Sequence, residues 1–550
     1  MFSNKLKSLF EVSKTSVLKR EAETLSGNLA KKYSETDDPF VTQFGQVSNF
    51  KTPRSFIDIS ASMEALWAKS PRLAIMFTLY LRIITRVVSM FDGSLISKAP
   101  HRGPGLKYES IMRMLWIYNK NPDSFWKNIR LFITLGSWKD VFLMLNYDLQ
   151  YHGWDNKILD WTQVIKIILA GLENPNTINL VKKYLPSIKT NAKCTTLNSQ
   201  ADNMIAKYTC SSLFGKAMNG YTYKQYRKLK SSGTAHEWQK AISKGRFLEL
   251  DFDTIHGKAL SLLVSSKFLA NHGLEEKYHK WISEKPVAKF TGLIHELFEK
   301  PMKMSYQKDT ANKQFMGAVE TAKIGLNPLN GLLVVRDTSG SMASKAHGTN
   351  LSSDMLACIL GVFFDYLLPD NNHFKGHFVE FASKTRLKKW VGVTPVDKVT
   401  ANTRGGFGST NFSNVFKLFS DIKRNKDIPE DFFPSGILCI SDGEFDPAQL
   451  GKTNVEQAFI ILREAGFSEE YISKFSIILW NIPNTFYGLR SSSKFETYET
   501  NIPNIFYFSG YDPSIIAFLT GSTIQQQIPR TARDLLEAAL NQPILNMVEV

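Results

Sequence analysis

From residue 331 onward, short and wholly apolar runs alternate with longer segments of helical pattern, and few folds accept that rhythm. GLLVVRD (331–337), HFKGHFVEFAS (373–383), SGILCISD (435–442), FSIILWNI (475–482) and NIFYFSG (504–510) read as strands. SSDMLACILGVFFDYLL (352–368), NFSNVFKLFSDIK (411–423), VEQAFIILREAG (455–466) and TARDLLEAALNQ (531–542) read as helices. A strand that is apolar on both sides needs cover on both sides. The pattern therefore predicts one open α/β domain over 328–550, with a mostly parallel, Rossmann-like sheet between layers of helix. Ligands of such sheets bind beyond the carboxyl ends of the strands.

The first part of the chain has a different period. Ser70-Pro71 pairs an N-cap with an N1 proline and predicts a helix running through Arg86. Asn121-Pro122-Asp123 separates SIMRMLWIYNK from SFWKNIRLFITL. Gly136-Ser137 then precedes WKDVFLMLNY, and WTQVIKIILAGL (161–172) follows. Helices of this length joined by short turns suit a HEAT-like all-α repeat region. The expected organisation is a polar, helical extension over 1–55, a basic helical-repeat domain over 56–327 and the α/β domain. The apolar segment Leu73–Phe91 contains Arg82 and Arg86, which favours a buried helix over a membrane span. The first residues lack the apolar stretch of a signal peptide. The four cysteines are widely spaced and form no C-x-x-C pair, so a reducing, cytoplasmic setting is expected.

Charge divides the chain in the same way. Residues 1–327 carry 47 Lys/Arg against 28 Asp/Glu, and 328–550 carry 20 against 23, so the net +16 originates wholly in the first part. Such an excess predicts a polyanionic partner. Lys216, Lys224, Arg227, Lys228 and Lys230 are interleaved with Tyr221, Tyr223 and Tyr226. Lys182, Lys183, Lys189 and Lys193 form a second cluster, and His101, Arg102 and Lys107 a third. Lysine and arginine neutralise phosphates, and tyrosine stacks on unpaired bases. Lys182, Lys183, Lys216, Tyr223, Lys224, Tyr226, Arg227, Lys228 and Lys230 are the candidate RNA contacts. No helix-turn-helix or zinc-finger pattern favours duplex DNA.

Chemistry-bearing residues gather at the expected strand ends of the α/β part. Asp337-Thr338-Ser339-Gly340-Ser341 follows the first strand, Gly405 to Thr410 precedes a helix, and Ile440-Ser441-Asp442-Gly443 ends a later strand. Asp337, Ser339, Ser341, Thr410 and Asp442 together offer two carboxylates and three hydroxyls. That all-oxygen set suits Mg²⁺ or another hard divalent cation. Gly405–Thr410 lacks the lysine of a P-loop, Asp337-Thr338-Ser339 lacks a phosphatase's second aspartate, and His295-Glu296 lacks the second histidine of a zinc protease. No base or nucleophile is placed for catalysis, so no enzymatic activity is expected.

The three segments, in that order, resemble a von Willebrand factor A domain with a metal-ion-dependent adhesion site. The resemblance implies that Ser339 and Ser341 ligate the ion directly, that Asp337 and Asp442 bind it directly or through water, and that Thr410 does either according to conformation. It also implies an open position that a partner's carboxylate fills. A helical first half before such a domain resembles the Ro autoantigen (TROVE) family, and still more a related, little-characterised family of the same layout. Gly136-Ser137-Trp138-Lys139-Asp140, Tyr226-Arg227-Lys228, Glu249-Leu250-Asp251-Phe252 and Ile440 to Asp446 carry that likeness. It implies a ribonucleoprotein: small structured RNA on the helical part, single-stranded RNA ends in a central hole and Mg²⁺ in the A domain. The expected function is non-enzymatic RNA binding with no membrane partner. The alternative is an assembly module, viral or virion-borne, whose metal docks an acidic residue of a protein partner.

Overall fold

In a computed structural model, residues 23–25, 31–33, 38–47, 53–90, 93–94, 96–153, 155–189, 193–215, 220–233, 236–255, 257–265, 267–290, 292–300, 302–403, 408–426, 428–448, 452–482, 504–520 and 531–550 are described. The chain divides into two compact units: Pro53–Trp281 with Gln542–Val550, and Met1–Thr52 with Ile282–Asn541.

The first unit is built of helices, with α1 (Phe56–Lys69), α2 (Pro71–Arg82), α3 (Lys107–Lys120), α4 (Pro122–Leu135), α5 (Trp138–His152), α6 (Trp161–Glu173), α7 (Ile178–Tyr184), α8 (Leu197–Phe214) and α9 (Gly220–Ser232) in succession. Side chains start several of them. Ser70 accepts from Leu73 N–H, Asn121 from Ser124 N–H, and Asp160 from both Thr162 and Gln163 N–H. Each satisfies a donor that a helix start leaves open. Every residue of α2 from Leu73 to Arg82 is buried, so its apolar face needs packing on all sides.

The expected helix through Arg86 ends at Arg82. Ile84–Arg86 instead pairs antiparallel with His101–Pro104. β-Branched Ile83, Ile84 and Thr85 favour extended backbone, and Gly105 and Leu106 N–H donate to the carbonyls of Ile83 and Leu81 at 2.7 and 2.6 Å, closing the turn. Among the described residues, no helix is long and apolar enough to cross a membrane.

The second unit contains a six-stranded sheet. Its strands are β1 (Leu332–Asp337), β2 (His377–Phe381), β3 (Thr385–Lys389), β4 (Gly436–Ser441), β5 (Ser476–Asn481) and β6 (Ile505–Ser509), in spatial order β3-β2-β1-β4-β5-β6. All pairings are parallel except β2 with β3. β1 and β4 are buried along their whole length. Leu333, Val335, Ile437 and Cys439 pack with Phe412, Phe416 and Leu462 in one core cluster. The alternate residues face the other way; Val334, for example, lies beside Gly361 of the helix Ser353–Leu367.

Helix Ser305–Lys323 belongs to this unit, with Phe315 against the rings of Phe363 (5.6 Å) and Tyr366 (6.0 Å). The boundary predicted at 327/328 therefore moves to 281/282. The last nine residues belong to the helical unit, where Gln542 exchanges two hydrogen bonds with the Arg102 backbone and Asn128 two with the Glu549 backbone. The part of the expected 1–55 extension up to Thr52 is assigned to the α/β unit. Its helix Pro39–Gly45 follows Asp38, which pairs with Arg533 at 3.0 Å.

Candidate functional site

β1 and β4 are neighbours, and the chain leaves them toward opposite flanks of the sheet. A crevice at their carboxyl ends is the expected ligand position in an open α/β sheet. Asp337 is the last residue of β1 and is fully buried. Its Oδ1 accepts from Ser339 N–H at 2.8 Å and its Oδ2 from the Ser441 hydroxyl at 2.5 Å. The Ser339 and Ser341 hydroxyls are 3.2 Å apart.

Backbone bonds fix the surrounding loops. Gly340 N–H donates to the Gly408 carbonyl (3.1 Å) and Asp446 N–H to the Thr410 carbonyl (2.9 Å). Thr410, a buried residue, is thereby held between the loop after β1 and the chain after β4. Gly408 has φ +92°, and a Cβ there would lie 2.3 Å from the Ser383 hydroxyl, so this turn needs glycine. Gly405, Gly406 and Phe407 lie outside the described residues.

The electrostatics are distinctive. Burial, and after it the charge of Asp442, pushes the Asp337 carboxyl up to about 7, against hydrogen bonds from Ser441 and Ser339 that pull it down. Among the described residues, no lysine or arginine pairs with Asp337. Two neighbouring carboxylates, one fully buried, ringed by hydroxyls and lacking sulfur or imidazole, are a donor set for a hard cation. Among the described residues, no group of three or more His, Cys, Asp or Glu forms a ligand cluster, so such a cation would depend on the hydroxyls. Ser441, which orients Asp337, was not among the residues singled out from the sequence; its signal is a hydroxyl directly before the strand-end aspartate.

The basic candidates of the helical unit converge in part. α7 and α9 carry Lys182 and Lys183, and Tyr223 to Lys230, respectively. They abut: the Tyr226 hydroxyl donates to the Pro186 carbonyl at 3.0 Å, Lys230 donates to the Leu185 carbonyl, and a Cβ on Gly233 would fall 2.3 Å from that of Lys182. Lys183, Lys224, Arg227 and Lys228 are exposed, and none forms an ion pair among the described residues. Lys182, Tyr223 and Lys230 are half-buried.

Tyr226 does not fit its predicted role. It is fully buried, burial pushes its phenol far above the ordinary range, and it cannot offer a face to a base. Lys216 lies outside the described residues, as does His256. The third expected cluster also differs, because His101 and Arg102 are buried in the ribbon and against Gln542. His295 and the four cysteines are buried, and no disulfide forms.

No protein-family model matches the chain, and no curated protein matches it either.

Proposed function

We propose that the chain is a non-enzymatic RNA-binding protein, similar in layout to Ro, whose α/β unit is an A-type domain holding a divalent cation. The carrying observation is that two basic segments forty residues apart meet on adjoining helices, leaving Lys183, Lys224, Arg227 and Lys228 exposed with no carboxylate paired to them among the described residues. A solvated face that served only solubility would mix both signs. An unopposed group of cations recruits phosphates and releases their counterions.

The strand order β3-β2-β1-β4-β5-β6 and the oxygen donors beyond β1 and β4 support the second half of the reading. Asp337, Ser339, Ser341, Thr410 and Asp442 would hold Mg²⁺. The ion would neutralise the two carboxylates and fasten three separate loops. Ser339 N–H and Ser441 orient the Asp337 carboxylate toward that role.

The test is fluorescence anisotropy with a small structured RNA. Binding at 50 mM salt should weaken by at least tenfold at 200 mM. In the variant K183A/K224A/R227A/K228A the slope of log affinity against log salt should fall by about 3. Absence of binding at low salt overturns the proposal.

A second reading has one observation in its favour. Asp442 and Ser341 are half-buried and Gly340 is exposed, so the site opens to solvent at the rim, where a partner's carboxylate could complete the coordination. In that case Asp337→Ala removes a Mg²⁺-dependent protein contact and leaves RNA affinity unchanged.

A further inference from the structure

The two edges of the sheet are unequal. β6 is buried at every position, whereas β3, at the other edge, is exposed at Arg386, Leu387 and Lys389. β3 pairs antiparallel with β2, from Thr385 opposite Phe381 to Lys389 opposite His377. Trp390 N–H donates to the Gly376 carbonyl at 2.9 Å and Ala382 N–H to the Lys384 carbonyl at 3.2 Å, so the even-numbered residues turn their backbone groups toward β2. In an antiparallel ladder the alternate residues turn theirs away. The N–H and C=O groups of Thr385, Leu387 and Lys389 therefore face outward, and among the described residues no strand pairs with them. The row ends at Val391, whose carbonyl accepts from the Asn402 side chain at 2.9 Å.

The side chains suit a strand laid against this row. Leu387 lies opposite Val379 of the buried core cluster and continues its apolar face past the end of the sheet, 47% exposed. Val391 and Val393, directly after β3, are 57% and 87% exposed. Lys384, Arg386 and Lys389 are exposed and form no ion pair among the described residues, whereas Lys388 pairs with Glu380. Lysines alone would guard an open edge against pairing. An edge that is only guarded gains nothing from three exposed apolar side chains beside them.

Charge decides the occupant. A second copy pairing antiparallel about Leu387 would set Arg386 opposite Lys388, and a pairing centred on Arg386 or Lys388 would set that charge against itself. Like charges directly opposite destabilise a ladder. An RNA strand brings phosphates for the lysines but no regular alternation of donors and acceptors for Thr385, Leu387 and Lys389. An extended acidic peptide supplies both: carboxylates for Lys384, Arg386 and Lys389, and a backbone that pairs at every second residue.

We propose that the outer edge of β3 is a docking site for an extended, acidic segment of a protein partner, which adds a further strand to the sheet. The docking needs neither the RNA face nor the metal.

The test uses the full chain in EDTA, which keeps a metal from capturing carboxylates, and fluorescein-labelled peptides of about nine residues that alternate glutamate with valine. The peptide should bind at low salt and weaken as salt rises, and a lysine–valine peptide should not bind. K384E/K389E, at exposed positions, should weaken the acidic peptide about tenfold or more. Leu387→Pro removes one outward N–H without touching the bonds to β2, as an edge strand tolerates, and should weaken binding about tenfold. Methylating every second amide nitrogen of the peptide, in either of the two possible sets, should abolish binding for the set that faces β3 and spare it for the other. That comparison leaves the protein unaltered and gives the answer should Leu387→Pro disturb the strand.

Absence of binding up to about 1 mM peptide overturns the proposal. So does equal binding of the lysine–valine peptide, or an affinity that neither methylated peptide lowers. Binding that K183A/K224A/R227A/K228A removes, while K384E/K389E and Leu387→Pro leave it intact, places the peptide on the helical unit and overturns it too. Oligo(U) that displaces the peptide, and whose affinity K384E/K389E lowers while Leu387→Pro does not, makes the edge an RNA surface, with the same consequence.

Discussion

The helical and α/β units treat buried charge differently. In the helical unit Glu109 is paired with Arg54 and Arg113, and Asp140 with Arg82. Asp148 accepts from the N–H groups of Ile158 and Leu159 and from the Trp161 indole. Every one of these carboxylates is compensated by the fold itself. The α/β unit follows the same rule where Lys398 meets Asp365 at 3.1 Å, and breaks it at Asp337, which sits beside Asp442 with no cation paired to it among the described residues. Compensated charge explains itself as structure, whereas uncompensated buried charge calls for a ligand. On the helical unit Lys183, Lys224, Arg227 and Lys228 are exposed and form no ion pair among the described residues, and such a group attracts a ligand of opposite sign.

The largest expected effect tests the compensated side. Glu109→Ala leaves the fully buried Arg113 without its carboxylate partner and should cost about 3–5 kcal/mol of stability in denaturant unfolding. Arg54→Met, Glu109→Leu and Arg113→Met together should recover most of that loss, because apolar side chains of similar volume replace the whole ion-paired set. If the single change costs under about 1 kcal/mol, the contrast drawn between paired and unpaired carboxylates loses its energetic basis.

Acid should move the two units in opposite directions. Burial, and then Arg102, lowers His101 to about 4, and its Nε2 has no hydrogen-bond partner among the described residues. With the folded pKa below the unfolded value near 6.5, the unfolded chain binds the extra proton, so the helical unit loses stability as pH falls from about 6.5 to 4. Asp337 has the reverse sign: a folded pKa raised from 3.8 to about 7 means that the folded state takes up the proton first. Without metal, the α/β unit gains stability as pH falls through 7 toward 4. Thermal unfolding at pH 7.5 and 5.5, followed with a fluorophore in each unit, should show shifts of opposite sign. His101→Asn should flatten the first and Asp337→Asn the second.

The legibility of the chain follows the same physics. β1, β4, β5 and β6 lie within one residue of their sequence-predicted ends because strands buried on both faces are apolar at every position. β3, with Thr385, Arg386, Lys388 and Lys389, was missed because an edge strand carries polar and charged residues. Helix Pro395–Asn402 was also missed, although Thr394 and Asp397 form a legible capping box. The metal candidates were readable because strand ends lie close to turn-forming residues in the sequence. The basic residues were readable as charges but not as exposed or buried: Tyr226, His101 and Arg102 are polar in type, and only the packing of a distant element shows which face each one occupies.

Mg²⁺ should stabilise the α/β unit, and more so at pH 8 than at pH 6, because the ion competes with the proton that Asp337 holds below about 7. Asp337→Asn should abolish that response while raising the stability of the metal-free protein at pH 8, since it removes a buried charge facing Asp442. A Tm that ignores Mg²⁺ at both pH values would remove the α/β unit's side of the comparison.

The smallest effect concerns Ser441, whose hydroxyl donates to Asp337 Oδ2 and accepts from Gly443 N–H at 3.0 Å. Ser441→Ala removes a hydrogen bond that favours the charged carboxylate and leaves the other donors in place. The Asp337 pKa should rise further, so the pH at which Mg²⁺ begins to stabilise the protein should move upward by about one unit, the equivalent of roughly 1.4 kcal/mol. The saturating Mg²⁺ effect at pH 9 should be nearly unchanged, because there the carboxylate is ionised in both proteins. A loss of the response at every pH would instead make Ser441 a direct ligand, and the donor set would then extend from five side chains to six.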